Sequence, residues 1–228
     1  MTSLEAVVMS RDAMCTVRGE ELLLLVERAV YWHRTNTLLV ADPRFGKTAT
    51  PRSTGVPVLA GTTECTLARI DAALARTGAA RLVFLGDFLH PRDGRSEATS
   101  GALGAWRDRH PALDVVLVRG NHDRRAGDPS TELRISCVDA PMLEQPFAFV
   151  HDPGEVAGAY ALAGHLHPGA TMVDRGRKRM RLPCFWFCGR WAALPAFGEF
   201  TGLAHIGPSS GDQLFVIAGD EVREVPVP

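Results

Sequence analysis

The stretch DVVLVRGNHD, residues 114–123, is an apolar run that ends in a group of polar side chains. The aliphatic residues 115–118 predict a strand that is buried on both faces, as in the parallel sheets of α/β proteins. Asn121, His122 and Asp123 follow just after the predicted end of this strand. Because sites in open α/β sheets form at the carboxyl ends of strands, the stretch predicts both a parallel sheet and a site at its edge.

The same arrangement of an apolar run followed by a polar residue recurs along the chain. Such runs end at Asp42, Asp87, His151 and the pair His165 and His167. Carboxylate, amide and imidazole donors together suit Mn, Fe or Zn better than Mg or Ca. Any one motif could be a polar turn or a helix cap. Their recurrence predicts a metal site, because each buried polar group without a partner would cost about 1–3 kcal/mol.

The segments between these runs indicate the fold class. Apolar residues at helical spacing predict a helix that starts at Thr62 or Thr63, and a second helix over residues 100–110. After Ser130, short predicted strands separated by turns predominate. This order predicts an α/β fold with two packed mixed β-sheets flanked by helices, a four-layer sandwich, in a single domain over residues 1–228.

Charge and hydropathy exclude some partners and leave others open. With 25 basic and 26 acidic residues, the chain as a whole has no electrostatic preference for nucleic acid or for an anionic membrane. The run RGRKRMR, residues 175–181, predicts a solvated hairpin tip, and a local basic patch is the alternative. No apolar run approaches the roughly 20 residues that span a bilayer. Residues 1–20 do not resemble a signal peptide, so we expect a cytoplasmic protein with reduced cysteines.

The order of the motifs, D, G-D, G-N-H-D, H and G-H-x-H, resembles that of the calcineurin-like metallophosphoesterases over residues 42–168. Flanking features such as GDFLH, residues 86–90, and LPCFWF, residues 182–187, resemble a bacterial branch of ligase-associated DNA-damage-response phosphodiesterases or endonucleases. The resemblance implies the metallophosphoesterase fold and two divalent transition-metal ions, with Mn expected first and Fe or Zn as alternatives. It also implies hydrolysis of phosphodiester bonds in DNA repair, with nucleic acid as substrate and a DNA ligase, a helicase and an exonuclease as partners.

The resemblance also implies a role for each motif residue. Asp87 is expected to bridge the two ions. The other expected ligands are Asp42 and His167 at the first metal site, and Asn121, His151 and His165 at the second. His122 is expected to donate a proton to the leaving oxygen or to stabilise the transition state, and Asp123 to orient the ring of His122. His90 is expected either to line the pocket or to cap the start of a helix.

Arg44 departs from the family pattern, which has a histidine at this position. Arginine keeps its proton in proteins and cannot ligate a metal ion. The favoured interpretation is a first metal site that binds its ion less tightly; the other is an Arg44 side chain that binds a substrate phosphate.

The first functional hypothesis for the chain is a metal-dependent phosphodiesterase. A small-molecule phosphatase or nucleotide hydrolase on the same fold, and a catalytically weakened binding subunit of a repair complex, are the alternatives.

Overall fold

The structure is a computed structural model that describes residues 11–47, 62–90, 94–173, 177, 179–199 and 201–227. Its first sheet has seven strands in chain order: β1 (Ala13–Val17), β2 (Glu20–Leu24), β3 (Val30–Trp32), β4 (Thr37–Val40), β5 (Arg81–Leu85), β6 (Asp114–Val118) and β7 (Ser136–Val138). The strands from β1 to β4 pair antiparallel, and those from β4 to β7 pair parallel. The sheet is therefore mixed, and its parallel part contains the buried apolar strands that the sequence predicts.

The second sheet is built from the later part of the chain. Its strands are β8 (Met142–Glu144), β9 (Phe147–Phe149), β10 (Tyr160–Ala163), β11 (Pro168–Val173), β12 (Arg179–Phe187), β13 (Trp191–Ala193), β14 (Ala204–His205), β15 (Gln213–Ala218) and β16 (Glu221–Val225). They are arranged in the order β14-β11-β12-β13-β10-β9-β8, and β15 and β16 are attached through β12. Strands β9, β10 and β13 pair parallel, and the β11–β12 pair is antiparallel.

Three α-helices lie in the described part of the chain: α1 (Thr62–Thr77), α2 (Glu97–Arg109) and α3 (Asn121–Ala126). The start of α1 is as predicted, whereas α2 begins three residues before the predicted range. A short helix, α3, replaces the polar turn expected at Asn121, because the Asp123 carboxylate accepts a hydrogen bond from the backbone N–H of Gly120 at the helix start. None of the helices in these ranges is long and apolar enough to cross a membrane.

Two apolar layers hold the fold together. One lies between the sheets, where residues such as Leu39 and Val116 of the first sheet share a cluster with Phe149 and Phe185 of the second. The other lies between the first sheet and helices α1 and α2. On the outer face of the second sheet, the apolar clusters of the described residues contain no helical residue. The α/β fold with two mixed sheets flanked by helices is confirmed, and α1 and α2 pack against the first sheet.

Candidate metal centre

The predicted motifs meet where strands of the two sheets end side by side. In the first sheet, the parallel strands β4, β5 and β6 are followed by Asp42, Asp87 and Asn121. In the second sheet, the parallel strands β9 and β10 are followed by His151 and His165. Asp42, Asp87 and His151 are buried, and one donor atom from each lies within 4.8 Å of the others. The fold therefore brings residues more than a hundred positions apart into one cluster.

The ring of His151 lies at the centre of the expected second metal site. Its Nδ1 is 3.0 Å from the carbonyl oxygen of Leu85, which can only accept, so Nδ1 donates and Nε2 keeps a free lone pair. This Nε2 lies 3.1 Å from Oδ1 of Asn121, 3.4 Å from Oδ1 of Asp87 and 3.0 Å from Nδ1 of His165. Donor atoms about 2.0–2.2 Å from a first-row metal ion have separations of this size. Each of these three atoms is thus close enough to Nε2 of His151 to share an ion with it.

Asp42 faces the expected first metal site. Its Oδ2 accepts a hydrogen bond of 2.8 Å from the backbone N–H of His165, which fixes the carboxylate. Its Oδ1 lies 3.8 Å from Nδ1 of His151 and 3.7 Å from Nε2 of His167. Nδ1 of His151 is bonded to Leu85, so the distance that concerns the first site is the one between Asp42 and His167, and it is longer than the 3.0–3.4 Å separations around Nε2 of His151.

Asp87 presents its two carboxylate oxygens to different neighbours. Oδ1 faces His151, whereas Oδ2 lies 2.5 Å from Nη2 of Arg44 and 3.8 Å from Nε2 of His122. The Asp87 side chain is only 1% exposed, so its pairing with Arg44 is little screened by water. Arg44 therefore occupies the oxygen that a bridging carboxylate would offer to the first ion.

The residues present fit divalent metal ions. Three buried atoms of the cluster have no hydrogen-bond partner in the described part of the chain: Oδ1 of Asp42, Oδ1 of Asp87 and Nε2 of His167. Each such atom would cost about 1–3 kcal/mol if it stayed unpaired, and a cation shared between them removes that cost. The mixture of carboxylate, amide and imidazole donors suits a first-row transition metal.

Glycines of two motifs leave room for ligands that belong to other motifs. A Cβ atom on Gly86 would lie 2.3 Å from Nδ1 of His151, and Gly86 also has a φ of +79° that side chains rarely adopt. A Cβ atom on Gly164 would lie 2.7 Å from Oδ2 of Asp42. The glycines in G-D and G-H-x-H therefore allow the two sheets to bring their polar residues into contact.

Four of the expected ligands have a left-handed backbone. Their φ angles lie between 48° and 65°: Asp42, Asp87, His165 and His167. Non-glycine residues adopt this conformation at a cost of order 1–3 kcal/mol each, and such strain is concentrated at functional sites. These four are among ten described non-glycine residues with a positive φ, and Arg44 in the same site is another.

His122 and Asp123 lie beside the cluster and contact it differently. Nε2 of His122 is 3.8 Å from Oδ2 of Asp87, and the His122 side chain is 31% exposed, so the ring can reach both the cluster and solvent. The carboxylate of Asp123 accepts hydrogen bonds from the backbone N–H groups of Gly120 at 2.8 Å and Phe88 at 3.0 Å. Burial raises the pKa of the Asp123 carboxyl group. Asp123 thus fixes the backbone on either side of the cluster, and its expected role in orienting the His122 ring stays a prediction.

His90 is held by its backbone in the loop after β5. Its N–H donates to the carbonyl oxygen of Phe45 at 2.8 Å, and its own carbonyl oxygen accepts from Gly94 at 2.9 Å. The expected helix-capping role is wrong for α2, since Ser96 caps this helix by accepting a hydrogen bond from the backbone of Thr99 at 3.3 Å. A role for His90 in lining the pocket stays a prediction.

Sequence reasoning missed Asp152, which directly follows His151. Its Oδ1 lies 3.4 Å from Nε2 of His165, while Nδ1 of the same His165 ring faces His151 at 3.0 Å. Carboxylates commonly hold a metal-binding imidazole through the nitrogen that does not face the metal. The only signal in the sequence is the position of Asp152 next to a motif histidine, which does not distinguish it from an ordinary exposed acid.

A cleft of about 410 Å³ opens beside the second metal site. Its lining includes Asn121, His151 and Asp152, together with Arg119 and Arg124. Arg119 is paired with a carboxylate, that of Asp128, at 2.7 Å. The cleft gives the buried donor atoms of the second site a route to solvent.

Comparisons with known proteins identify a relative. No protein-family model and no curated protein matches the chain. Among solved structures, the chain is similar to the crystal structure of the Pseudomonas putida nuclease MPE, with 43% sequence identity and a TM-score of 0.80 over 94% of this chain and 100% of that one. It also aligns with YfcE, a phosphoesterase from E. coli, at 15% identity and a TM-score of 0.42 over 84% of this chain and 99% of that one.

The similarity to the nuclease extends over the whole of its structure, and it includes the two sheets whose strand ends carry the motifs. Identity of 43% over that length indicates common descent, and the order of the five motifs specifies the family. This chain belongs to the calcineurin-like metallophosphoesterase family.

Proposed function

We propose that this protein is a metal-dependent nuclease that hydrolyses phosphodiester bonds in nucleic acid. The observation that carries the proposal is the buried cluster of Asp42, Asp87 and His151, whose unpaired donor atoms fit divalent cations. The 43% identity to a nuclease supports a nucleic acid as the substrate.

Each part of the cluster has a role in this proposal. When bound, divalent metal ions at such a site lower the pKa of water and neutralise charge on phosphoryl oxygens. The chain would hold one ion through Oδ1 of Asp87 with Asn121, His151 and His165. Asp42 and His167 would hold the other, with the second oxygen of Asp87 shared between this ion and Arg44.

His122 is placed to act on the leaving group. Its ring lies at the boundary between the cluster and solvent, 3.8 Å from Asp87. From there, Nε2 can deliver a proton to the departing oxygen of a diester held over the cluster, or stabilise the charge that develops on it. Asp123 supports this geometry through the backbone at the start of α3.

The contact between Arg44 and Asp87 supports a weakened first metal site. A guanidinium group that neutralises the shared carboxylate competes with a cation for the same oxygen. This contact also favours the second candidate function, a catalytically weakened subunit that binds nucleic acid in a repair complex. The alternative role for Arg44, binding of a substrate phosphate, is compatible with this contact, because only Nη2 faces Asp87 and Nε has no hydrogen-bond partner among the described residues.

The finer assignments belong to the same proposal. We expect Mn at the cluster, with Fe or Zn as alternatives, because the donors are mixed oxygen and nitrogen atoms. The resemblance of the flanking segments to a ligase-associated branch supports a cytoplasmic role in DNA repair, with a DNA ligase, a helicase and an exonuclease as partners.

Metal analysis combined with ester hydrolysis tests the proposal. The purified protein is assayed with Mn, Fe, Zn and Mg on a phosphodiester, a phosphomonoester and single-stranded DNA. We expect metal-dependent cleavage of the diester and of DNA, with little cleavage of the monoester. Faster cleavage of the monoester would indicate a phosphatase, and DNA binding without turnover would indicate the binding subunit.

A further inference from the structure

Strands β11 and β12 form a two-stranded ribbon whose inner and outer halves differ. In the inner half, residues 168–170 of β11 are buried. In the outer half, residues 171–173 pair with residues 179–181, and all of them are exposed except the half-buried Met172. We call residues 171–173 and 179–181, together with Arg177, the arm.

The arm concentrates positive charge. Residues 174–181 contain five basic side chains and one acidic side chain, within a chain that has 25 basic and 26 acidic residues. The rest of the chain therefore has 20 basic and 25 acidic residues, a net charge of −5. An anionic strand is thus attracted to the arm and repelled by the remaining surface taken as a whole.

The described cations of the arm are not neutralised by neighbours. Arg177, Arg179 and Arg181 are exposed, and no carboxylate among the described residues forms an ion pair with them. The guanidinium group of Arg181 donates one hydrogen bond, of 3.1 Å, to the carbonyl oxygen of Leu203. Most of the hydrogen-bonding capacity of these arginines is therefore directed to solvent.

The arm also exposes backbone edges and apolar side chains. Val173 is 58% exposed and Met180 is 42% exposed. In the described part of the chain, strand β14 pairs with β11 only at residues 168–169, and β15 pairs with β12 only at residues 184–187. A two-stranded ribbon without further strands is marginally stable in water, so a partner that covers this part of it would add stability.

The arm begins close to the metal cluster. Strand β11 starts directly after His167, one of the expected ligands. At about 3.3 Å per residue, Thr171 and Val173 lie at most about 13 and 20 Å along the chain from His167. Arg181 and Arg179 are their partners across the ribbon. These cations therefore lie within a few nucleotides of a phosphate bound at the cluster.

We propose that the arm binds the phosphate backbone of the nucleic acid strand whose scissile bond lies at the metal cluster, a role that rests on the nuclease activity proposed above. Arg177, Arg179 and Arg181 contact phosphates a few nucleotides from that bond, while Val173, which lies on the same face as Arg179 and Arg181, offers apolar surface to bases. Contacts to phosphate position a strand without reading its sequence. Binding is therefore independent of sequence and strongly dependent on salt.

Two other roles would also explain a basic ribbon, but they make a different prediction for its affinity for DNA. Charged side chains on an exposed edge discourage pairing with other chains, and they do so without any effect on nucleic acid binding. An acidic protein partner would likewise use the charge of the arm and leave binding of nucleic acid unchanged. Either role predicts the same affinity for DNA with and without the arm cations.

The test removes three of these cations and measures DNA binding and diester hydrolysis separately. The variant carries Arg177→Gln, Arg179→Gln and Arg181→Gln. Affinity for a single strand of about 20 nucleotides is measured between roughly 50 and 400 mM salt, with Ca replacing the catalytic metal. Each phosphate contact on a single strand contributes about 0.7 to the slope of log affinity against log salt, so the slope should fall by about 2. Affinity near 0.1 M salt should fall by about 10²-fold, by the same relation.

Hydrolysis of bis(p-nitrophenyl) phosphate measures the metal cluster alone, because this diester is too short to reach the arm. We expect the variant to keep the wild-type kcat and KM on this substrate and to lose the advantage that wild type has on long over short oligonucleotides. If the triple variant unfolds, Arg179→Gln alone should lower the salt slope by about 0.7.

A matched control removes as many exposed cations elsewhere. Arg109→Gln, Arg134→Gln and Arg223→Gln give the same net charge, and each of these arginines pairs with a carboxylate. We expect the control to bind DNA with the wild-type salt slope. An unchanged slope in the arm variant, or an equal loss in the control, refutes the proposal for the arm. A wild-type protein that hydrolyses neither the small diester nor DNA refutes the nuclease proposal instead.

Discussion

The two halves of the metal cluster are built differently. Around His151, donor atoms of Asn121, Asp87 and His165 lie 3.0–3.4 Å from a single ring nitrogen. Around Asp42, the nearest histidine nitrogens lie 3.7 and 3.8 Å from Oδ1. The donor atoms around His151 are thus more closely grouped than those of Asp42 and His167.

The two halves of the cluster also differ in the charge of their surroundings. Arg44 places a permanent positive charge on the Asp87 oxygen that faces the first site. Burial, and then the nearby charge of Arg44, lower the pKa of Lys47 in the same loop. A metal ion at the first site therefore enters a region that already holds a cation, and the second site has no such competitor among the residues in hydrogen-bond contact with His151. One substituted residue makes two otherwise related sites unequal.

The largest effect should come from removing Asp87, the carboxylate that we expect to bridge the two metal sites. Asp87→Asn leaves no anionic group between the sites, so we expect a folded protein that binds neither ion and has no metal-dependent diesterase activity. Metal analysis after dialysis and a melting curve measure the two properties. Asp114→Asn, on the exposed surface, is the control. Wild-type turnover in Asp87→Asn would contradict a shared carboxylate.

Removing His122 should affect the reaction without affecting either half of the cluster. We expect His122→Ala to lower kcat by about 10²–10⁴-fold, the usual range for a positioned acid or base, and to keep the wild-type metal content. Metal content that falls together with activity would show that His122 is a ligand. The same rate in both proteins would exclude it from the reaction.

Asp152 offers a way to weaken the second half alone. Because its carboxylate holds the far side of the His165 ring, we expect Asp152→Asn to lower metal affinity at the second site by about 10–100-fold. Titration of Mn into metal-free protein measures this affinity. Asp152→Glu, which keeps a carboxylate, should recover part of it. If the tighter of the two ions binds equally well to all three proteins, Asp152 is only a surface acid.

Much of this scaffold was predictable because its strands have an unambiguous pattern. Strand β6 contains the predicted residues 115–118, since continuous aliphatic residues are stable only between covering layers. Helix α1 was predictable from its apolar spacing and its stop at Gly78. The helix α3 was not, because only the contacts of Asp123 with the backbone distinguish it from a turn.

The sequence predicted which residues form the candidate site, but it did not predict the contacts between them. The motif residues were identified by type and position, and their left-handed backbone had no sequence signal. The pairing of Arg44 with Asp87 joins residues 43 positions apart, so it depends on how two loops pack. The sequence left two roles open for Arg44, and this contact favours a weakened first metal site.

The smallest effect should come from substituting Arg44. This substitution tests directly whether the two metal sites differ in affinity. Arg44→His replaces a permanent cation with a possible ligand, so we expect bound metal to rise toward two per chain and kcat to rise by up to about tenfold, with KM unchanged. Arg44→Ala removes the cation without adding a ligand, and it should raise metal content less. A higher KM in both variants would show that Arg44 binds the substrate phosphate, because uniform binding to ground state and transition state would then have been lost. Two tightly bound ions in the wild-type protein would show that Arg44 does not weaken the first site, and the halves would then be equal in affinity despite their different geometry.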